Sequence, residues 1–130
     1  MADNRRRAEG RKARVGHRGE DLAAAALEAA GLQILQRNWR CRTGEIDIVA
    51  SEGAGAARTI VFCEVKCRSG LGFGDPLEAI TYEKLRRLRK LSAEWLAAHD
   101  APPTGIRLDA VGVLLRPDDA PLVRHVRGIG

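Results

Sequence analysis

Two carboxylates stand inside a stretch that otherwise reads as buried strand. In Gly44 to Ala50 (GEIDIVA), Ile46, Ile48 and Val49 suit a core strand, while Glu45 and Asp47 carry charge into it. Burying an ionised group is costly unless it is paired. Strand side chains alternate between faces, which sets Glu45 and Asp47 on one face and Ile46 and Ile48 on the other. Thr59 to Arg68 (TIVFCEVKCR) repeats the pattern, with Glu64 and Lys66 on one face and Cys63, Val65 and Cys67 on the inward one. SEGAGAAR between the two strands reads as a hairpin loop. Such a hairpin brings Asp47 beside Glu64, where like charges on adjacent strands are destabilising. A divalent cation offsets that repulsion, and Mg²⁺ is typically held by one or two carboxylates with waters and substrate phosphates. One ammonium, Lys66, cannot neutralise three carboxylates, but beside an ion it is placed to orient a water. Together these parts make a metal-activated nucleophile directed at a phosphodiester. The alternative is a solvent-facing strand edge whose acids pair with Lys66, Arg68 and Arg42.

The rest of the chain supplies one domain for this hairpin. At 130 residues it is long enough to bury a core. Gly19 to Ala30 reads as a helix with Leu22, Ala23, Ala26, Leu27 and Ala30 on one face and Gly31 as its stop. Leu32 to Trp39 reads as a first strand. A glycine-rich turn, SGLGFGDP, leads into a helix from Leu77 to Ala98, with Leu85, Leu88, Leu91, Trp95 and Leu96 as its apolar stripe. After the breaker APPTG come strands Ile106 to Leu115 and Leu122 to Val126.

Residues 1–18 hold seven Lys/Arg and two acids, so the whole formal charge of +5 resides there, and residues 19–130 balance to zero. A basic arm, Arg5, Arg6, Arg7, Arg11, Lys12 and Arg14, on a neutral domain suits nucleic acid; a solubilising tail is the other reading. Lys84, Arg86 and Arg87 on the long helix suit phosphate contacts, against the alternative of a solvated face. Aromatics make up 4% of the chain, too few for a single-strand stacking ladder, which favours double-stranded or branched DNA. The absence of about 18 consecutive apolar residues excludes a membrane-spanning helix. Three cysteines, an odd number, and no secretory signal pattern point to a reducing cytoplasm.

An acid in a first helix, then GEID, then a short hairpin, then EVK resembles the PD-(D/E)XK nucleases of the restriction-endonuclease-like fold. GHRGEDLAAAALEAAGLQILQRNWRCRTGEIDIVA, VFCEVKCRSGLGFGDPLEAIT and RLDAVGV extend the likeness from about Val15 to the C-terminus, and these are similar to the YraN family of bacterial proteins, itself similar to archaeal Holliday junction resolvases. The resemblance implies an α/β fold with a mixed sheet flanked by helices. It implies Asp47 and Glu64 as metal ligands with the Val65 carbonyl, Glu20 as the helix acid completing the site, and Lys66 as the residue that positions or activates water. The superfamily's proline before the aspartate is replaced by Ile46. Glu45 belongs to GEID itself and could ligate a second ion or bind a basic residue.

The expectation is a Mg²⁺- or Mn²⁺-dependent DNA endonuclease selective for junctions or flaps. Resolving a junction takes two coordinated cuts, so that substrate calls for a homodimer. Two rivals are a nucleic-acid-binding accessory protein that does not cut and a module whose acids bind a basic protein. His17 reads as a solvated tail residue, His99 and His125 as isolated surface residues, and Cys41 as lacking a zinc partner. Asp109 reads as a structural partner of Arg107 or of a helix end.

Overall fold

The structure, a computed structural model, describes residues 17–69, 75–99 and 105–130. A helix α1 over residues 17–29 leads into strands β1 (Gln33–Cys41), β2 (Gly44–Glu52) and β3 (Thr59–Ser69). Helix α2 (Tyr82–His99), β4 (Gly105–Leu115) and β5 (Leu122–Val126) complete the described elements, with short 3₁₀ turns at Gly55–Ala57 and Pro76–Ala79. The five strands lie in sequence order in one sheet. Every neighbouring pair is antiparallel except β3 and β4, which run parallel over their full lengths. That parallel pair needs a long crossover, and α2 is part of it. The result is an α/β domain with a mixed sheet flanked by helices, the restriction-endonuclease-like architecture.

Each sheet face carries one helix. Ala23, Ala24 and Leu27 of α1 pack on Ile48, Ala50, Val61, Cys63, Val111 and Val113. Leu88, Leu91 and Trp95 of α2 pack on Ile46, Val49, Ile60, Phe62 and Leu108. The central strands are apolar on both sides for this reason. Gly19 lets α1 sit close: a Cβ there would lie 2.7 Å from Cys67 Sγ.

Several elements differ from the sequence reading. The helix expected from Leu77 is broken, because Pro76–Ala79 forms a separate 3₁₀ turn whose Leu77 N–H is capped by Asp75. α2 begins afresh after Thr81, whose hydroxyl accepts from the Lys84 N–H, as an N-cap threonine does. Leu85 stands outside the α2 core cluster, and Ser92 is buried in the stripe, its hydroxyl donating to the Leu88 carbonyl. On α1, Ala24 is buried and Ala30 is exposed. Ile46 and Ile48 face opposite core layers, not the same one. Alternation fails between them because Asn38, on β1 opposite Asp47, adopts a positive φ of 56° and the ladder skips that pair.

His125 is neither isolated nor at the surface. Asp109, fully buried, accepts from both Arg107 Nε and Nη2 and from the Gly128 N–H, and lies 2.7 Å from His125 Nε2. Arg107 also donates to Glu52, which Arg127 pairs from the chain's last residues. This network ties β2, β4, β5 and residues 127–128 together. Burial pushes the Asp109 carboxyl up, but the donors from Arg107, His125 and Gly128 outweigh it and hold it below its ordinary 3.8. Its stabilising contribution is therefore full above that value and is lost as pH falls through the lower folded one. Asp109→Ala leaves Arg107 without its main partner and is expected to cost about 3–5 kcal/mol in urea unfolding at neutral pH. The gap from wild type should narrow below pH ~4.

Candidate metal and nucleic-acid site

The β2–β3 ladder runs from Glu52↔Thr59 to Ile48↔Cys63 and goes no further. The next pair in register would be Asp47 and Glu64, so the expected juxtaposition falls where the strands part. Asp47 Oδ2 accepts from the Val65 N–H at 2.8 Å, taking the place of the lost backbone partner. In an extended strand the N–H and C=O of a residue lie on the same edge, so the Val65 carbonyl faces this opening too.

Asp47 is poorly matched to its surroundings as an anion. Burial raises its carboxyl from 3.8 to about 7, with the Glu64 charge next and the Glu20 and Glu45 charges adding, against the single Val65 N–H. The neighbouring acids each have a cation. Glu64 Oε1 lies 3.0 Å from Lys66 Nζ, and Glu45 Oε2 lies 3.1 Å from Arg40 Nε. Glu45 thus binds a basic residue, Arg40 and not Arg42. Among the described residues no cation pairs Asp47.

Glu20 enters from α1, which Gly19 holds against Cys67. Burial raises its carboxyl, opposed by Arg37 and by a hydrogen bond from Asn38. Arg37 is committed to Asp21 at 2.7 Å and stands 4.0 Å from Glu20. Glu20 Oε1 is buried without a hydrogen-bond partner among the described residues. An orphaned carboxylate oxygen and the crowded Asp47 are what a hard divalent cation would satisfy, and the donors are all oxygen, as Mg²⁺ or Mn²⁺ prefers. The residues fit such an ion in chemistry. They are not gathered into a ready cage: among the described residues no three His, Cys, Asp or Glu side chains converge on one point.

α2 places two of the expected phosphate-binding cations on either side of this opening. Lys84 stands beside Lys66, whose charge pulls it below its ordinary value. Arg87, one turn on, lies over Gly44, where a Cβ would be 3.6 Å from its Cδ. Gly44, with φ of 149°, holds a backbone that side-chain-bearing residues rarely adopt, which accounts for the glycine opening GEID. Thr43, Glu83, Arg86, Arg87 and Lys90 line a groove between the β1–β2 turn and α2. Arg5, Arg6, Arg7, Arg11, Lys12 and Arg14 lie outside the described residues, as do the middle of SGLGFGDP and most of APPTG. His99 stacks on Trp95 with ring centroids 4.1 Å apart, a packing role. Asn38 and Arg37, absent from the sequence reading, shape the site together with Asp21. Only the tolerance of asparagine for positive φ hints at the first.

The model of "Uncharacterised protein family UPF0102" matches residues 19–113. The chain belongs to this family. It is the YraN family that the GEID and EVK motifs resemble. A UPF0102 protein of Beutenbergia cavernae is 51% identical over 116 residues, covering 89% of this chain and 95% of the relative. One of Nocardia farcinica is 47% identical over 120 residues, covering 92% and 91%. One of Streptomyces coelicolor is 51% identical over 117 residues, covering 88% and 87%. The family match spans Glu20, Asp47, Glu64, Lys66, Lys84 and Arg87. Among the described residues, no helix is long and apolar enough to cross a membrane.

The raised Asp47 carboxyl sets the sign of a pH effect. Its charge costs nothing below 3.8, and the cost grows until it is complete above about 7. In EDTA at pH 8, Asp47→Asn is therefore expected to raise Tm by on the order of 5 °C, with the gain shrinking by pH 5. Mn²⁺ should raise the Tm of wild type at pH 8 and leave the variant unmoved. Thermal unfolding at the two pH values checks both.

Proposed function

We propose that the protein is a Mg²⁺- or Mn²⁺-dependent endonuclease that hydrolyses phosphodiesters in double-stranded or branched DNA. The observation that carries this reading is Asp47: a carboxylate crowded by Glu64, paired with no cation among the described residues, and set where two strands part. Asp47, Glu64 and the Val65 carbonyl would hold the ion, with Glu20 completing the set from α1. The ion would supply charge stabilisation at the phosphate and a more acidic water.

The chain's own residues do the rest. Lys66, released from Glu64, orients the attacking water and holds the developing negative charge. Lys84 and Arg87 grip phosphates on the two sides of the opening, which fixes the backbone without reading bases. Contacts of that kind favour recognition by shape, and the basic residues before position 15 add long-range attraction to the duplex.

One observation favours a second reading, a DNA-binding accessory protein that does not cut. The Lys66–Glu64 bridge neutralises one of the carboxylates on which an ion would depend. A cleavage assay separates the two. Labelled four-way junction, flap, linear duplex and single-stranded DNA are incubated with Mg²⁺ or Mn²⁺, with Asp47→Ala and Lys66→Ala beside wild type. The endonuclease reading expects cutting that needs metal and falls at least ~10²-fold in each variant. Binding of branched DNA without cutting, equal in all three proteins, would establish the accessory protein instead.

A further inference from the structure

Where the first half of α2 passes the β1–β2 turn, helical spacing offers ion pairs that the protein does not make. Glu83, Arg86, Arg87 and Lys90 follow one another at helical neighbour spacing and form a single stripe. A glutamate four residues before a basic residue is the favourable order for a pair on a helix. Glu83 stands so before Arg87, yet no bridge joins them. Glu94 stands four residues after Lys90 and is spent elsewhere. Its two carboxylate oxygens accept from Thr43 Oγ1 at 2.8 Å and from Cys41 Sγ at 3.2 Å, which ties the β1–β2 turn to α2. Among the described residues no ion pair holds Arg86, Arg87 or Lys90, and all three are exposed. With Thr43 and Glu83 they line an open groove of about 430 Å³. Three cations against one acid leave that groove strongly positive.

We propose that this groove is a second backbone site for the DNA, in which Arg86, Arg87 and Lys90 hold phosphates of a strand running on from the opening at Asp47. It rests on the endonuclease reading for the place of the cut, and adds how far the bound strand extends past it. Gly44, under Arg87, is three strand residues from Asp47, a span of about 10 Å at ~3.3 Å per residue. One strand of duplex DNA advances about 3.4 Å along its axis per phosphate. The groove therefore meets the backbone about three nucleotides from the phosphate at Asp47. From Glu83 to Lys90 the stripe covers about 10 Å of helix, room for two or three successive phosphates. A backbone track suits side chains strung along two turns of helix better than a compact anion does. Thr43, the groove's one hydroxyl, is committed to Glu94, so the contacts are with charge and carry no base readout. Glu94, turned to Thr43 and Cys41, leaves the Lys90 ammonium to the strand.

The test reads DNA affinity against salt in EDTA, so that no step depends on a metal. Fluorescence anisotropy follows a labelled linear duplex and a labelled four-way junction. The proteins are wild type, the double variant Arg86→Gln/Lys90→Gln, Glu83→Gln and Arg116→Gln, the last removing a charge from the turn between β4 and β5. Each phosphate contact contributes about 0.9 to the slope of log affinity on log salt, so the double variant is expected to lower that slope by about 1.8 and to bind roughly 60-fold more weakly at ~0.1 M salt. Glu83→Gln removes the groove's acid and is expected to bind more tightly than wild type, a gain that damage to the fold does not produce. Arg116→Gln should bind as wild type does. A double variant that keeps the wild-type slope, or that binds no more weakly than Arg116→Gln, overturns the groove site and leaves the endonuclease reading standing. Glu83→Gln binding no tighter than wild type overturns it too. A groove-dependent slope in a protein that never cuts keeps this site and overturns the endonuclease reading. Absence of DNA binding by wild type at low salt overturns both.

Discussion

The candidate site lies where the β2–β3 ladder stops, at Ile48 and Cys63. Had the hairpin continued, the Val65 N–H and carbonyl would meet β2 backbone, and Asp47 would be one more side chain on a sheet face. Where the strands part, those backbone groups need partners, and the Asp47 carboxylate supplies the first. Asn38 makes the same interruption on the β1 side, and its side chain reaches Glu20. One local loss of pairing therefore gathers a carboxylate, a backbone carbonyl and a helix acid around a single opening.

Two aspartates in this domain show how environment divides one residue type into two roles. Asp109 is buried but meets three donors, Arg107, His125 and the Gly128 N–H, and it stays ionised as a structural tie. Asp47 is surrounded by other carboxylates and one N–H, and it is pushed up to about 7. Asp109 sits on β4 opposite Cys63, the last β3 residue paired with β2, and Arg107 carries the tie back to Glu52 opposite the start of β3. The unsatisfied group lies at the end where that pairing fails.

α2 joins two jobs on one element. Its inward stripe of Leu88, Leu91 and Trp95 closes the core, and its first turns carry Lys84 to Lys66 and Arg87 to Gly44. The Thr81 cap and the break after Ala79 set where that helix starts, and so which cation meets which motif. A helix unbroken from Leu77, as periodicity suggests, would have no separate 3₁₀ turn to seat against Gly112.

The amino-acid sequence alone determined the strand set, the helix on each side and the acids themselves. Alternation, helical spacing and turn residues are local signals, and Leu122 to Val126 falls where periodicity places it. Sequence motifs also pointed to Glu20, Asp47, Glu64 and Lys66 and to the family. Only the tertiary structure decided where pairing ends, why Ile46 and Ile48 part company, and that His125 is an internal partner of Asp109. It alone placed Lys84 against Lys66 and left Glu20 Oε1 without a hydrogen-bond partner among the described residues. The physical reason is range. Propensity and period act over a few residues, whereas the charge balance of a buried carboxylate is set by groups that the sheet and its crossover helix bring together from distant parts of the chain.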